Sequence, residues 1–401
     1  MKILVLGSRI PFPLRDGGAV ASFGMLKEMA NQGHDVTFFT FNTQKHFVSE
    51  DVIKSEFPFC KVVPIYLDAT THKISALWAL LRGINYNLSR FNSKKGEKIL
   101  IDLLQKEHFD IIHFEGIFSI SFLPIVQKYS NSIRVLRQHN VEHKIWLKLA
   151  ENAHNAFKKW YLKNLSNSLK TEEIKILKQF HYIVSITVAD KNEFEKINPN
   201  AVCYNYPAGV VYKEKLDEYP VESKSLCHLG SMEWMPNRDA VLHFIKHIWP
   251  RVLEKYTDAK FHIAGKSLDR NDPIFRGKNI VNHGEIEDAG KFISSYKAVV
   301  VPLLSGSGLR MKTLEAMAYG RPVISTRLGA TGISYTQNID ILLADSLDEW
   351  LLAIDLVFTE NEDSTKLGIH GRKLVIDKYS VGILTHGLLE FYEDILNRKS
   401  V

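Results

Sequence analysis

Cysteine is scarce in this chain. The three residues, Cys60, Cys203 and Cys227, are odd in number, far apart and set within apolar runs. They offer no disulfide framework and are expected to be buried, reduced thiols of a cytosolic protein. Long apolar runs are lacking too, and none reaches the roughly 18 residues of a membrane span. No signal peptide is expected, because Met1–Leu6 runs straight into a glycine turn. The formal net charge of +6 is only a mild bias. It suits an anionic ligand or membrane surface without being a nucleic-acid signature. No G-x-G-x-x-G follows the first apolar strand, which argues against a dehydrogenase. There is no convincing Asp-x-Asp cluster of the kind that holds Mg²⁺ on phosphates. His139, Glu142 and His143 do not have the order of an H-x-x-E-H helix, so no metal site is expected. Repeats and low-complexity segments are absent as well.

What is present is alternation. At 401 residues the chain should make two domains, since single cores rarely grow past roughly 250–300 residues. Lys2–Leu6 reads as a strand. A loop through Gly17-Gly18 follows, then a helix from about Ala19 and a strand over 35–41. Strand, glycine loop, helix, strand opens a Rossmann-type unit. Further strands are expected at 60–67, 110–114, 133–138, 181–185 and 200–205. The alternation restarts at Ser225–Ser231 after a linker containing Tyr219-Pro220. The expected division is 1–206, a linker over 207–223, a second domain over 224–380, and a final helix over 381–401 crossing back to the first domain. Two strand ends of the first domain concentrate polar residues, His113–Gly116 and Arg137–His143. Carboxyl ends of parallel strands are where such folds build sites. Glu115 is therefore a candidate site residue. Between 72 and 98 lies a basic, aromatic stretch with Trp78, Arg82, Tyr86, Arg90, Lys94, Lys95 and Lys98. It reads as a solvated helical connection, with an anionic membrane surface as the alternative. The lysine-rich region 145–180 reads as a solvated helical face.

The stretch 299–329 carries most of the chemistry. Val299-Val300-Val301 is a continuous apolar run, as in a strand buried on both faces. A loop with Gly306 and Gly308 follows, then a helix over 312–319 stopped by Gly320 and Pro322, then a strand over 322–326. A helix entrance at the end of a parallel strand offers free N–H groups to an anion. Arg310 and Lys312 lie at that entrance, where the helix dipole alone would favour acidic residues. Their placement suggests an external anion. Glu315 falls three residues past Lys312. The pair is either a surface ion pair worth a few tenths of a kcal/mol or a carboxylate for ligand hydroxyls beside a phosphate pocket. Lys266, just after a strand over 260–265, is a further candidate nucleotide contact.

The run Gly306–Val323 resembles the donor-site segment of glycosyltransferase family 4. The resemblance covers most of the chain in layout, with its specific motifs mainly in 299–329. It implies an α/β fold of GT-B architecture, two Rossmann-like doubly wound domains facing across a cleft, and retention of anomeric configuration. Glu315 matches the second of the family's two glutamates. Ser307 stands where the first, usually assigned to sugar contacts, would fall. Gly17-Gly18 resembles the family's glycine pair near the donor phosphate or acceptor, with a plain helix-entry turn as an equal alternative. His139-Asn140 resembles the pair that faces the donor sugar, and Glu115, in the domain that receives the acceptor in such enzymes, is the candidate for contacting it. Gly230 resembles the glycine that approaches the diphosphate. On this reading Ser307, Gly308 and Leu309 line the donor site. N–H groups at Gly308 and Leu309, with Arg310 and Lys312, stabilise the departing diphosphate, whose charge develops as the anomeric bond breaks.

The expected function is retaining sugar transfer from a nucleotide-diphosphate donor to a glycan or lipid-linked acceptor in surface polysaccharide synthesis. No cofactor, metal or nucleic acid is expected, and the location is cytoplasmic, with the inner face of the membrane as a peripheral option. The alternatives are a nucleotide-sugar epimerase or a glycogen-synthase-like polymerase on the same architecture, and a non-catalytic nucleotide-sugar-binding subunit.

Overall fold

A computed structural model describes residues 1–14, 17–68, 86–151, 155–305, 310–359 and 362–399. The candidates Ser307, Gly308 and Leu309, and Trp78 and Arg82 of the basic stretch, lie outside the described residues. The chain divides into two compact units, 1–209 with 384–401 and 210–383.

The first unit is built on seven parallel strands in the order β3-β2-β1-β4-β5-β6-β7. They are β1 (Lys2–Gly7), β2 (Asp35–Thr43), β3 (Lys61–Leu67), β4 (Ile111–Glu115), β5 (Ile133–Gln138), β6 (Tyr182–Ser185) and β7 (Val202–Asn205). Ile3–Leu6 of β1 is an unbroken apolar run because both faces of the central strand are covered. Leu4 and Leu6 pack on one face with Phe39, Phe41, Ile112, Phe114 and Phe122. Ile3 and Val5 pack on the other with Phe38, Ile111 and Val135. That second face also buries Leu388, Leu389, Tyr392 and Ile395 of the final helix, Val381–Lys399, which from Leu384 onward belongs to this unit. Strand order reverses between β1 and β4, where Gly7 stands opposite Glu115.

The second unit has six parallel strands in the order β10-β9-β8-β11-β12-β13. They are β8 (Glu222–Leu229), β9 (Lys260–Ala264), β10 (Ile280–Asn282), β11 (Tyr296–Val301), β12 (Val323–Ser325) and β13 (Leu342–Leu343). Alternation again separates two cores. Ala298 and Val300 join Phe244, Trp249, Phe261 and Trp350, whereas Val299 and Val301 join Leu314, Met317 and Val323. Order reverses between β8 and β11. Val210 bridges to Ser380, so the stretch read as a linker enters the second unit's structure at that residue. β13 is only Leu342–Leu343, because a turn at 338–340 precedes it and Asp340 accepts from the Thr336 N–H at 2.8 Å.

All three cysteines are free. Cys227 is buried, but Cys60, just before β3, and Cys203, in the edge strand β7, are only half-buried. Burial still pushes their thiols up, to about 12 for Cys60 and about 11 for Cys203, so both stay protonated at neutral pH.

Candidate functional site

In the second unit the loops after β8 and β11 meet where the strand order reverses, the position at which open α/β sheets bind ligands. The helix after β11, Met311–Ala318, carries no acidic residue in its first turn. Its Lys312 ammonium donates to the carboxamide oxygen of Asn237, in the helix Met235–His243 that follows β8. It also stands 5.8 Å from the ring centroid of Trp234, whose side chain is 41% exposed. Among the described residues Lys312 makes no ion pair with Glu315, so the surface-pair reading of those two residues does not describe the arrangement. Glu315 presents an exposed carboxylate one turn along the same helix.

Gly230 makes this approach possible. A Cβ built on it would lie 2.7 Å from Lys312 Nζ, 2.8 Å from Asn237 Nδ2 and 3.0 Å from His228 Nε2. Burial depresses the Lys312 ammonium from 10.5 to about 8, with the Glu315 carboxylate opposing and Arg310 adding to the shift. A partly desolvated cation beside a neutral amide and an aromatic ring is poised for an anion. His228 is fully buried, and burial lowers it to about 3, so its ring is neutral. Its Nδ1 lies 2.9 Å from the Val300 carbonyl oxygen, which can only accept, so Nδ1 holds the hydrogen and Nε2 is left as an acceptor.

The remaining second-unit candidates surround this point. Gly230 N–H donates to the Ala264 oxygen and Met232 N–H to the Lys266 oxygen, each at 3.0 Å, which stitches the loop after β8 to the loop after β9. Lys266 itself is exposed. Arg310 is 4% exposed, and its Nε donates to the Leu328 oxygen at 3.1 Å. Thr313 Oγ1 donates to the Gly329 oxygen at 2.6 Å. These two bonds fasten the helix entrance to the loop after β12. His228 and Asn237 were not singled out from the sequence. Asn237 lies 75 residues before Lys312, so no local pattern joins the two.

The first unit holds a separate polar cluster at its own reversal point. Glu115 ends β4, and Gly116 follows with φ +81°, a left-handed turn that glycine adopts freely. The expected acceptor residue proves to be enclosed, at 7% exposure, with both oxygens engaged by groups of the same unit. Its Oε1 accepts from Ser22 Oγ at 2.6 Å and from Arg137 Nη1 at 2.6 Å, and lies 2.8 Å from His139 Nε2. Its Oε2 lies 2.8 Å from His113 Nε2. Burial alone would raise this carboxyl, but the buried Arg137 guanidinium, then His139, hold it well below the usual carboxylate range. His139 keeps its side chain 27% exposed. Ser22 belongs to the helix Gly17–Asn31, so the exposed pair Gly17-Gly18 opens the same helix that supports Glu115. Glu173, from the helix Ala156–Leu177, holds the His139 loop from the other side. It accepts from Gln138 Nε2 at 3.0 Å and from the Glu142 N–H at 2.9 Å, and lies 2.5 Å from His143 Nδ1.

Comparison with known proteins bears on these two units. Residues 223–358 match the family model described as "Glycosyl transferases group 1". The match lies within the second unit, and Gly230, Asn237, Lys266, Arg310, Lys312 and Glu315 all fall inside it. A Klebsiella pneumoniae protein described as an uncharacterized 44.6 kDa protein in the cps region is 22% identical over 365 residues, covering 89% of this chain and 90% of that one. A Rickettsia africae glycosyltransferase structure superposes with a TM-score of 0.61 at 15% identity, covering 98% of each chain. Anabaena HepE, crystallised in complex with UDP, gives 0.61 at 9% identity over 98% of this chain and 100% of that one. At such identities the likeness is one of fold, and the fold is GT-B, with a doubly wound α/β unit in each half.

Proposed function

We propose that the protein is a retaining glycosyltransferase of family 4, moving a hexosyl group from a nucleotide-diphosphate sugar to a glycan or lipid-linked acceptor in surface polysaccharide synthesis. The observation that carries this reading is the Lys312 ammonium, desolvated beside Gly230 and Asn237 at the reversal point of the unit that carries the group 1 glycosyl transferase match. The cps-region context of the Klebsiella relative and the UDP complex of Anabaena HepE support it.

The geometry suits a leaving diphosphate. Lys312 and Arg310 supply positive charge where the anion develops, and Gly230 lets the phosphate approach backbone N–H groups closely. Because cationic side chains carry this task, the reaction is assigned no resident metal. Glu315, exposed one turn from Lys312, accepts from ribose hydroxyls. His139 is the first unit's contribution, positioning a substrate hydroxyl. The acceptor attacks from the face the diphosphate leaves, and the departing phosphate takes the proton.

Among the described residues no helix is long and apolar enough to cross a membrane. Peripheral contact with an anionic membrane from a cytoplasmic location remains part of the proposal. Exposed Ile145 and Leu149 beside Lys144 and Lys148 support it.

Calorimetric titration with UDP, GDP and ADP, with and without EDTA, tests the reading. One nucleotide should bind regardless of chelator and lose its affinity in Lys312→Ala. Failure of all three to bind would overturn it.

A further inference from the structure

The carboxylate of Glu115 collects four protein donors, and their hydrogens can be assigned without ambiguity. An ionised carboxylate only accepts. His139 Nε2 at 2.8 Å from Oε1 and His113 Nε2 at 2.8 Å from Oε2 must therefore both carry hydrogen. Tyr392, fully buried on the final helix, completes the chain, with its hydroxyl beside His113 Nδ1. Burial lowers the His113 imidazolium and raises the Tyr392 phenol well above its usual value, so a neutral ring accepts from a protonated hydroxyl. One polarity thus runs through the network: Tyr392 O–H to His113, His113 N–H to Glu115, and His139 N–H to Glu115. Arg137, 0% exposed and lying over the Tyr206 ring at 4.8 Å, balances the buried charge.

We infer that Glu115 is a positioning residue that locks His139 in the tautomer with hydrogen on Nε2, leaving Nδ1 as an acceptor for a substrate hydroxyl. The inference rests on the assignment of His139 to the reaction and adds what that assignment lacks, the direction of its hydrogen bond. A ring so fixed takes a hydroxyl hydrogen and, while neutral, offers no hydrogen from Nδ1 to a phosphate or carbonyl oxygen. Selectivity for a hydroxyl-bearing sugar follows. Rigidity follows as well, since Glu173 holds the adjoining turn while Glu115 holds the ring. The final helix, distant in sequence, becomes part of the site's support through Tyr392.

The test is two-bond ¹H–¹⁵N correlation of ¹⁵N-histidine-labelled protein at about pH 8.5, two units above the ordinary imidazole value. His139→Gln identifies the resonance. The wild-type ring should show protonated Nε2 and bare Nδ1. In Glu115→Ala the acceptor for the His139 Nε2 hydrogen is gone, so the ring should no longer hold a single tautomer. There kcat should fall by about a hundredfold, with nucleotide affinity within twofold of wild type. A wild-type ring protonated on Nδ1 overturns the proposal, and needs no variant to fold. So does a folded Glu115→Ala protein with unchanged tautomer and kcat. Wild-type protein with the expected tautomer but no transfer from any nucleotide sugar would support the positioning and sink the transferase reading, so the two fail separately.

Discussion

Glu173 Oε1 accepts the backbone N–H of Glu142 at 2.9 Å, although the two residues lie on different helices. The carboxylate is 0% exposed and sits at the amino end of the helix Glu142–Glu151. There it meets both orphan donors and the positive end of the helix dipole. Replacing it with alanine leaves two backbone N–H groups, Gln138 Nε2 and His143 Nδ1 without their acceptor. Glu173→Ala should therefore cost about 2–4 kcal/mol. Thermal unfolding should show this as a lower Tm, and turnover should fall further than the lost stability explains, because the His139 loop is released. A Tm within 1 °C of wild type, with unchanged turnover, would contradict it.

Glu173 also shows what a linear reading loses. The helix carrying it is lysine-rich, and charge counting describes its solvent face correctly while hiding one buried acid that acts on a turn 31 residues away. His113 and Tyr392 meet across 279 residues, which no local pattern records. The central strands were legible because both sheet faces are covered, so Ile3–Leu6 of β1 and Ala298–Val301 of β11 are unbroken apolar runs. Arg310 and Lys312 were legible because cations at a helix entrance run against the dipole. Their partners were not, because Asn237 reaches Lys312 from 75 residues away. Glu115 was picked out for its strand-end position, but its burial among four donors depends on Ser22, Arg137 and His139 arriving together.

Gly230 tolerates no side chain without displacing Lys312. In Gly230→Ala the new methyl would stand 2.7 Å from Nζ and 3.0 Å from His228 Nε2. The lysine is flexible and the buried histidine is not, so the ammonium gives way. Nucleotide affinity should fall by about tenfold, or about 1.4 kcal/mol, while stability changes by less than about 1 kcal/mol. Titration calorimetry beside thermal melts separates the two, and unaltered affinity would remove Gly230 from the phosphate site.

Lys312 titrates near 8 in the ligand-free protein. A phosphate beside it favours the charged form, so the nucleotide binds the protonated protein more tightly. Affinity should hold below pH 7 and decline above pH 8, approaching about tenfold per pH unit once the free ammonium has lost its proton. In Lys312→Gln the curve should be weaker and flat over that range. A wild-type affinity independent of pH between 7 and 9 would refute the role.

Glu142, in the same turn as His139, has the opposite linkage. Burial, then the neighbouring Glu173 carboxylate, raises it from 4.5 to about 7, against a hydrogen bond from Asn140. A carboxyl raised in the folded state binds more protons there than in the unfolded chain. Its contribution is therefore fully present below pH 4.5 and is lost as pH rises through 7. Glu142→Gln keeps the neutral shape at every pH. The variant should match wild type at pH 4.5 and exceed it at pH 8 by about 1–3 kcal/mol, the lower end if solvent screens the group. In a domain of this size that is a Tm gain of about 2–8 °C. Melts of both proteins at the two pH values decide the matter, since a gain that is equal at both, or confined to pH 4.5, would mean that Glu142 is ionised in the fold throughout.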